Sequence, residues 1–221
     1  MQLLRQQDYY QGAKAVAPLA VAIVAIGIVF GYTATRAGFS PFAAVIMSAT
    51  TFAGSAQFAA VAIIGAGGPL SAAVSSALLL NARYAPMGAA IGPELRGSLW
   101  KRALVAQFVV DEAWAIAYLG GGRFSTQRLV GSGLVLLATH VSATAVGAGV
   151  GTTIGDPAAW GLDAAFPALF VILLRPHVRK PTGIVAALLG ASIALALTPL
   201  TPPGIPIVGA ALASFVGGNR R

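Results

Sequence analysis

The chain has 221 residues, of which 57% are hydrophobic and only 9% charged, with a mean hydropathy of +0.81. Soluble domains carry about 25% charged residues, so the composition excludes that class and indicates an all-α, polytopic membrane helical bundle. Fourteen Lys and Arg against six Asp and Glu give a formal net charge of +8. These cations fall between apolar runs, so they read as markers of membrane orientation rather than as a nucleic-acid surface. The absence of cysteine removes disulfides, thiolate metal sites and catalytic thiols. Two histidines are too few for a histidine-based metal site, so neither a metal nor a cofactor is expected.

Residues 1–14 are polar, without the charged-then-apolar pattern of a cleaved signal, so the first apolar segment (15–35) is expected to stay as a membrane helix. Arg36-Ala37-Gly38-Phe39-Ser40-Pro41 closes it and reads as a loop followed by a new helix start. Segment two (42–64) is long enough to cross a bilayer, for which about 20 apolar residues suffice. Its middle is nevertheless small and polar: Thr51-Phe52-Ala53-Gly54-Ser55-Ala56-Gln57-Phe58-Ala59. A buried glutamine amide needs a hydrogen-bond partner, and glycine lets a backbone unwind or approach closely. Transporters place substrate at helices interrupted in this way, whereas tight helix packing uses the same small residues.

Segment three (70–91) carries Asn81, Arg83 and Tyr84. A guanidinium inside a membrane segment costs about 3 kcal/mol on insertion scales and must find a partner or water. Pro86 removes a hydrogen bond to the Ala82 carbonyl and disfavours helix at Ala85, so a kink or stop is expected beside these side chains. Arg83 would then hold a carboxylate bidentately, or else snorkel to the interface as an anchor. After Glu94, Arg96, Lys101 and Arg102 comes segment four (103–119), with Gln107, Asp111, Trp114 and Tyr118 on one face of a continuous helix. The adjacent carboxyls of Asp111 and Glu112 do not both ionise readily in a low dielectric and titrate as a unit. They suit proton coupling, or a structural ion pair with Arg83.

A flexible polar loop is expected over 120–128, then segment five (129–150) with His140, Ser142 and Thr144. His140 titrates near neutrality when unperturbed and would shuttle protons, or simply bond to a neighbouring hydroxyl or carbonyl. Segment six (158–174) has Asp163 near its start, as a helix-terminus carboxylate or an ammonium or proton acceptor. The basic stretch 175–181, segment seven (182–197), a proline-rich stretch (198–206) and a short segment eight follow.

Seven to eight segments leave two topologies, both with cytoplasmic termini. If all eight cross, Arg96, Lys101 and Arg102 fall outside, against the positive-inside rule. If segments two and four dip in and return, every loop cation except Arg36 lands inside, and re-entrant backbone is tolerated where protein buries it or it lines a cavity. A faint internal repeat relates 15–91 to 129–197 within one domain spanning 1–221. Gly31…Pro41 and Gly147…Pro157 share a spacing, and residues 52–58 align with 160–166. Such halves favour a transporter. No P-loop, HExxH or GxSxG is present, so no enzyme is expected.

Phe52-Ala53-Gly54-Ser55-Ala56-Gln57-Phe58, preceded by Arg36 to Pro41 and followed by Asn81-x-Arg83-Tyr84, Asp111-Glu112 and Leu162-Asp163, resembles the hallmark region of the AzlC family. That resemblance implies the large subunit of a branched-chain amino acid exporter in the bacterial inner membrane. The exporter would work with a small AzlD-type membrane subunit and draw on the proton motive force. Read together with the residues, Gly54, Ser55, Gln57, Asn81 and Arg83 are candidates for binding substrate, and Asp111, Glu112 and Asp163 for coupling protons. An assembly subunit without a site of its own, or an integral-membrane enzyme using Asp111 and Glu112, are the alternatives.

Overall fold

The computed structural model describes residues 2–150, 171, 174–175, 177–179, 181–201 and 205–213. Asp163 and the 160–166 stretch of the repeat lie outside the described residues. Two long helices form the frame: α1 (Gln2–Arg36) and α8 (Thr126–Val150). Both are long and apolar enough to cross a membrane. They run parallel in close contact, because glycine replaces side chains where the backbones meet. A Cβ at Gly31 would collide with the Thr144 carbonyl, and one at Gly147 with the Ile28 carbonyl. The crossing is therefore symmetric, with residues 28 and 31 facing 144 and 147. The helix begins well before residue 15, where the apolar run starts, since its polar end also has a partner: Arg128 reaches Asp8 at 3.7 Å and donates to Gln11.

Segment two does not cross. Ser40 accepts from the Ala43 amide at 3.1 Å and Pro41 takes the first helical position, starting α2 (Pro41–Thr51) as the loop motif predicts. This helix descends against α1 and α8. Ala44 packs with Phe30, Ala34 and Ala148, Ser48 bonds Thr144 at 3.0 Å, and Phe52 reaches the level of Ile23, Ile26 and His140. Eleven residues rise about 16 Å, roughly half the hydrocarbon thickness. There Phe52 takes a left-handed conformation (φ 41°), the one non-glycine residue with positive φ among those described, and the chain reverses. The next helix, α3 (Gly54–Gly65), climbs back: Phe58 meets Phe30 edge-on at 5.6 Å, Val61 joins the Phe30–Ala34 cluster, and Gly65 ends beside Ala37.

Segment three crosses in two pieces, α4 (Leu70–Asn81) and α5 (Tyr84–Ile91). The break falls before Tyr84 rather than at Ala85, which is helical, so Pro86 sits in the first turn of α5 where its missing N–H costs nothing. A short 3₁₀ turn (Gly92–Glu94) ends at the start of α8, where Thr126 Oγ1 donates to the Glu94 carbonyl at 3.1 Å.

Segment four corrects the expectation of a continuous helix. It is α6 (Leu99–Ala106) and α7 (Asp111–Ala117), separated by residues 107–110, so Gln107 and Asp111 do not share a helix face. It rises from the Glu94 side to mid-depth and turns back. On the return Trp114 donates to the Met87 carbonyl at 3.1 Å and stacks near Tyr118 and Phe124. The expected flexible loop is an antiparallel hairpin of β1 (Tyr118–Gly120) and β2 (Arg123–Phe124), fastened by buried Phe124. Farther along, α9 (Pro181–Leu197) packs on α10 (Ile205–Ala211), which also touches α4.

Candidate functional site

Three chain breaks meet at one depth: Phe52-Ala53 between α2 and α3, Ala82-Arg83 between α4 and α5, and residues 107–110 between α6 and α7. They surround a cavity of about 50 Å³. Its polar wall is Gly54, Ser55, Arg83, Tyr84, Asp111 and Glu112, and its apolar wall is Ile23, Ile26, Phe52, Val110, Leu136 and His140. Irregular backbone survives at membrane depth only where it is buried in protein or borders such a cavity, so the breaks and the cavity require each other.

Arg83 anchors the polar wall. Its Nη1 lies 3.0 Å from Asp111 Oδ2, while Nη2 donates to Ser55 Oγ at 3.0 Å and more weakly to Tyr84 OH at 3.4 Å. The guanidinium carbon sits 5.2 Å from the Tyr84 ring centre. Nε has no hydrogen-bond partner. The ion pair anticipated between Arg83 and segment four is thus present, about one-quarter exposed on both sides. Neighbouring Glu112 is more deeply buried and has no cation within 4.0 Å among the described residues.

The expected binding residues separate into three places. Gly54, Ser55 and Arg83 line the cavity with Asp111 and Glu112. Asn81 lines a second, wider cavity toward the Glu94 side, and its Oδ1 is buried without a partner. Gln57 is fully buried and lines neither; its Oε1 accepts the Ala53 amide at 3.2 Å, which caps α3 at the break. Among the described residues no three His, Asp or Glu side chains gather into a metal site.

Residues that sequence reasoning left out of the site are Ile23, Ile26, Leu136 and Phe52, while His140, weighed there as a proton shuttle or a bonded structural histidine, also lines the cavity. His140 is held between the rings of Phe30 and Phe52, each 6.1 Å away, and its Nε2 is unpartnered. Phe52 was discoverable from its place inside the polar interruption. Ile23 and Ile26 carry no sequence signal, because the membrane part of α1 is apolar on every side, whereas Leu136 lies one turn from both Ser132 and His140 on the stripe of α8 that small and polar residues mark.

The arrangement sets the charged groups of Arg83, Asp111 and Glu112 on one side of the cavity and an apolar wall from α1 and α8 on the other. Residues 18–154 match the family model described as AzlC protein. The chain belongs to the AzlC family. It is 32% identical over 198 residues to the inner membrane protein YgaZ of Escherichia coli (strain K12), covering 83% of this chain and 79% of that protein. It is 28% identical over 183 residues to the branched-chain amino acid transport protein AzlC of Bacillus subtilis (strain 168), covering 81% and 71%. No solved structure matches it. The first relative is a membrane protein by name, and the second is named for transport of branched-chain amino acids.

Proposed function

We propose that this AzlC-family chain is the substrate-carrying subunit of a secondary transporter that exports branched-chain or related small neutral amino acids. The observation that carries this reading is the two-sided cavity, since an aliphatic zwitterion needs an anion site, a cation site and an apolar slot together. Arg83 offers its unpartnered Nε beside Nη2, an edge that takes a carboxylate bidentately if Ser55 and Tyr84 yield. Asp111 or Glu112 takes the ammonium, and the Ile23–Ile26–Leu136 wall takes the side chain. Asp111 and Glu112 also serve as proton carriers, with Asp163 a further candidate.

The chain acts as one domain, with related halves for which the symmetric Gly31–Gly147 crossing is support. It sits in the bacterial inner membrane. The face bearing Arg96, Lys101, Arg102 and Arg123 is cytoplasmic by the positive-inside rule. Both termini are placed there too, and the family resemblance adds a small AzlD-type partner.

Counterflow of labelled leucine into proteoliposomes holding the chain with and without its small partner tests the proposal. Uptake dependent on trapped amino acid supports a carrier; none for any neutral amino acid, in folded protein with its partner, sinks it. The assembly-subunit reading draws on the Arg83–Asp111 contact between helices. It requires substitutions there to lower protein amount while leaving transport per molecule intact.

A further inference from the structure

The central cavity, about 50 Å³, is well below the size of ordinary small-molecule sites, about 300–1,000 Å³. The second cavity, about 490 Å³, falls within that range. An amino acid therefore fits the wider space in this conformation and not the central one. Phe52, Tyr84 and Val110 line both, so they form the wall between them. Arg102 is the only charged side chain lining the wider cavity among the described residues, and no carboxylate lies within 4.0 Å of it. Asn81 adds a buried carbonyl oxygen without a donor. Among the described residues the lining thus presents one cation without a carboxylate partner and one acceptor without a donor, the complement of a zwitterion, but no acid to hold an ammonium strongly.

We propose that this vestibule is a second binding site, in which Arg102 takes the carboxylate of a neutral amino acid before it passes Phe52 and Tyr84 to the central cavity. The proposal rests on the amino-acid reading above and adds an entry site on the Arg96–Arg102 face, from which an exporter must load. Arg102 on the exposed helix α6, next to Trp100, also suits a simple interfacial anchor, and sidedness separates the two roles.

The test is leucine counterflow by the full chain with its small partner, with half-saturation measured separately at each membrane face. Arg102→Gln should raise half-saturation at the Arg96–Arg102 face about tenfold, the scale of one lost charge-assisted hydrogen bond, and leave the opposite face and the maximal rate unchanged. Arg102→Lys should restore most of the loss. Equal effects at both faces, or none at either, overturn the vestibule site while leaving the transporter reading standing. A second measurement needs no variant. On the unaltered protein, isocaproate, which keeps the carboxylate, should inhibit from the Arg96–Arg102 face more strongly than isoamylamine, which keeps only the amine. The reverse order overturns the proposal. Absence of leucine counterflow by the unaltered protein is a separate result, which defeats the amino-acid reading on which this one rests.

Discussion

Gln107 donates its side-chain amide to the Thr50 carbonyl at 2.8 Å. Thr50 lies near the tip of the segment that dips from the Arg36 side, and Gln107 near the tip of the one that rises from the Glu94 side. One amide thus ties two half-crossings at mid-depth and satisfies a helix-end carbonyl that α2 leaves unpaired. Gln107→Leu keeps the volume and removes the donor, so it should cost about 1–3 kcal/mol. A lowered melting temperature in detergent is the expected reading; an unchanged one would show that the contact is not needed.

The reversal of segment two predicts labelling geometry. The chain has no cysteine, so single cysteines report cleanly. Ala37→Cys and Ala66→Cys should react with an impermeant maleimide from the same face, and Arg96→Cys from the opposite one. If segment two crossed fully, Ala66→Cys would label with Arg96→Cys instead.

Arg83 and Asp111 form a partly exposed pair, so removing one charge is damaging without being ruinous to the fold. Arg83→Ala should abolish counterflow and lower stability by about 1–3 kcal/mol, because Asp111 is left without its partner. Adding Asp111→Ala should recover much of the stability and none of the transport. Recovery of transport in the double variant would assign the pair to architecture alone.

Glu112 is buried and has no cation within 4.0 Å among the described residues, a position suited to carrying a proton rather than fixing a helix. Glu112→Gln should retain exchange of leucine for leucine, which needs no net proton movement, and lose accumulation driven by a pH gradient. Gradient-driven accumulation at the unaltered rate would move the coupling role to Asp111 or elsewhere.

Much of this was legible along the chain. The start of α2 follows from Ser40-Pro41, whose cap and fixed φ act over a single turn. The break near Arg83 follows from Pro86, though its register was misplaced, because the proline is accommodated in a first turn rather than forced out of the helix. The Gly120–Gly122 stretch looked flexible since nothing local shows that Phe124 anchors it beside Trp114. The need of the buried Gln57 amide for a partner is legible in the sequence, but not that the Ala53 backbone N–H, four residues back, donates to its Oε1.

The sequence by itself determined that this is a helical membrane protein, where its apolar segments lie, and that segments two, three and four carry glycine, proline or polar side chains that disfavour a regular helix in lipid. Cation placement even preferred the topology in which two segments return. Only the tertiary structure decided that they do return, that Arg83 meets Asp111, and that Ile23, Ile26 and Leu136 form one wall of the cavity. The physical reason is that capping, proline and glycine effects act within a turn or two and are written locally. The direction taken after a break depends instead on which surface α1 and α8 offer. Along the membrane part of α1, side chains facing lipid and side chains facing protein are equally apolar, so no hydropathy periodicity marks its inner face.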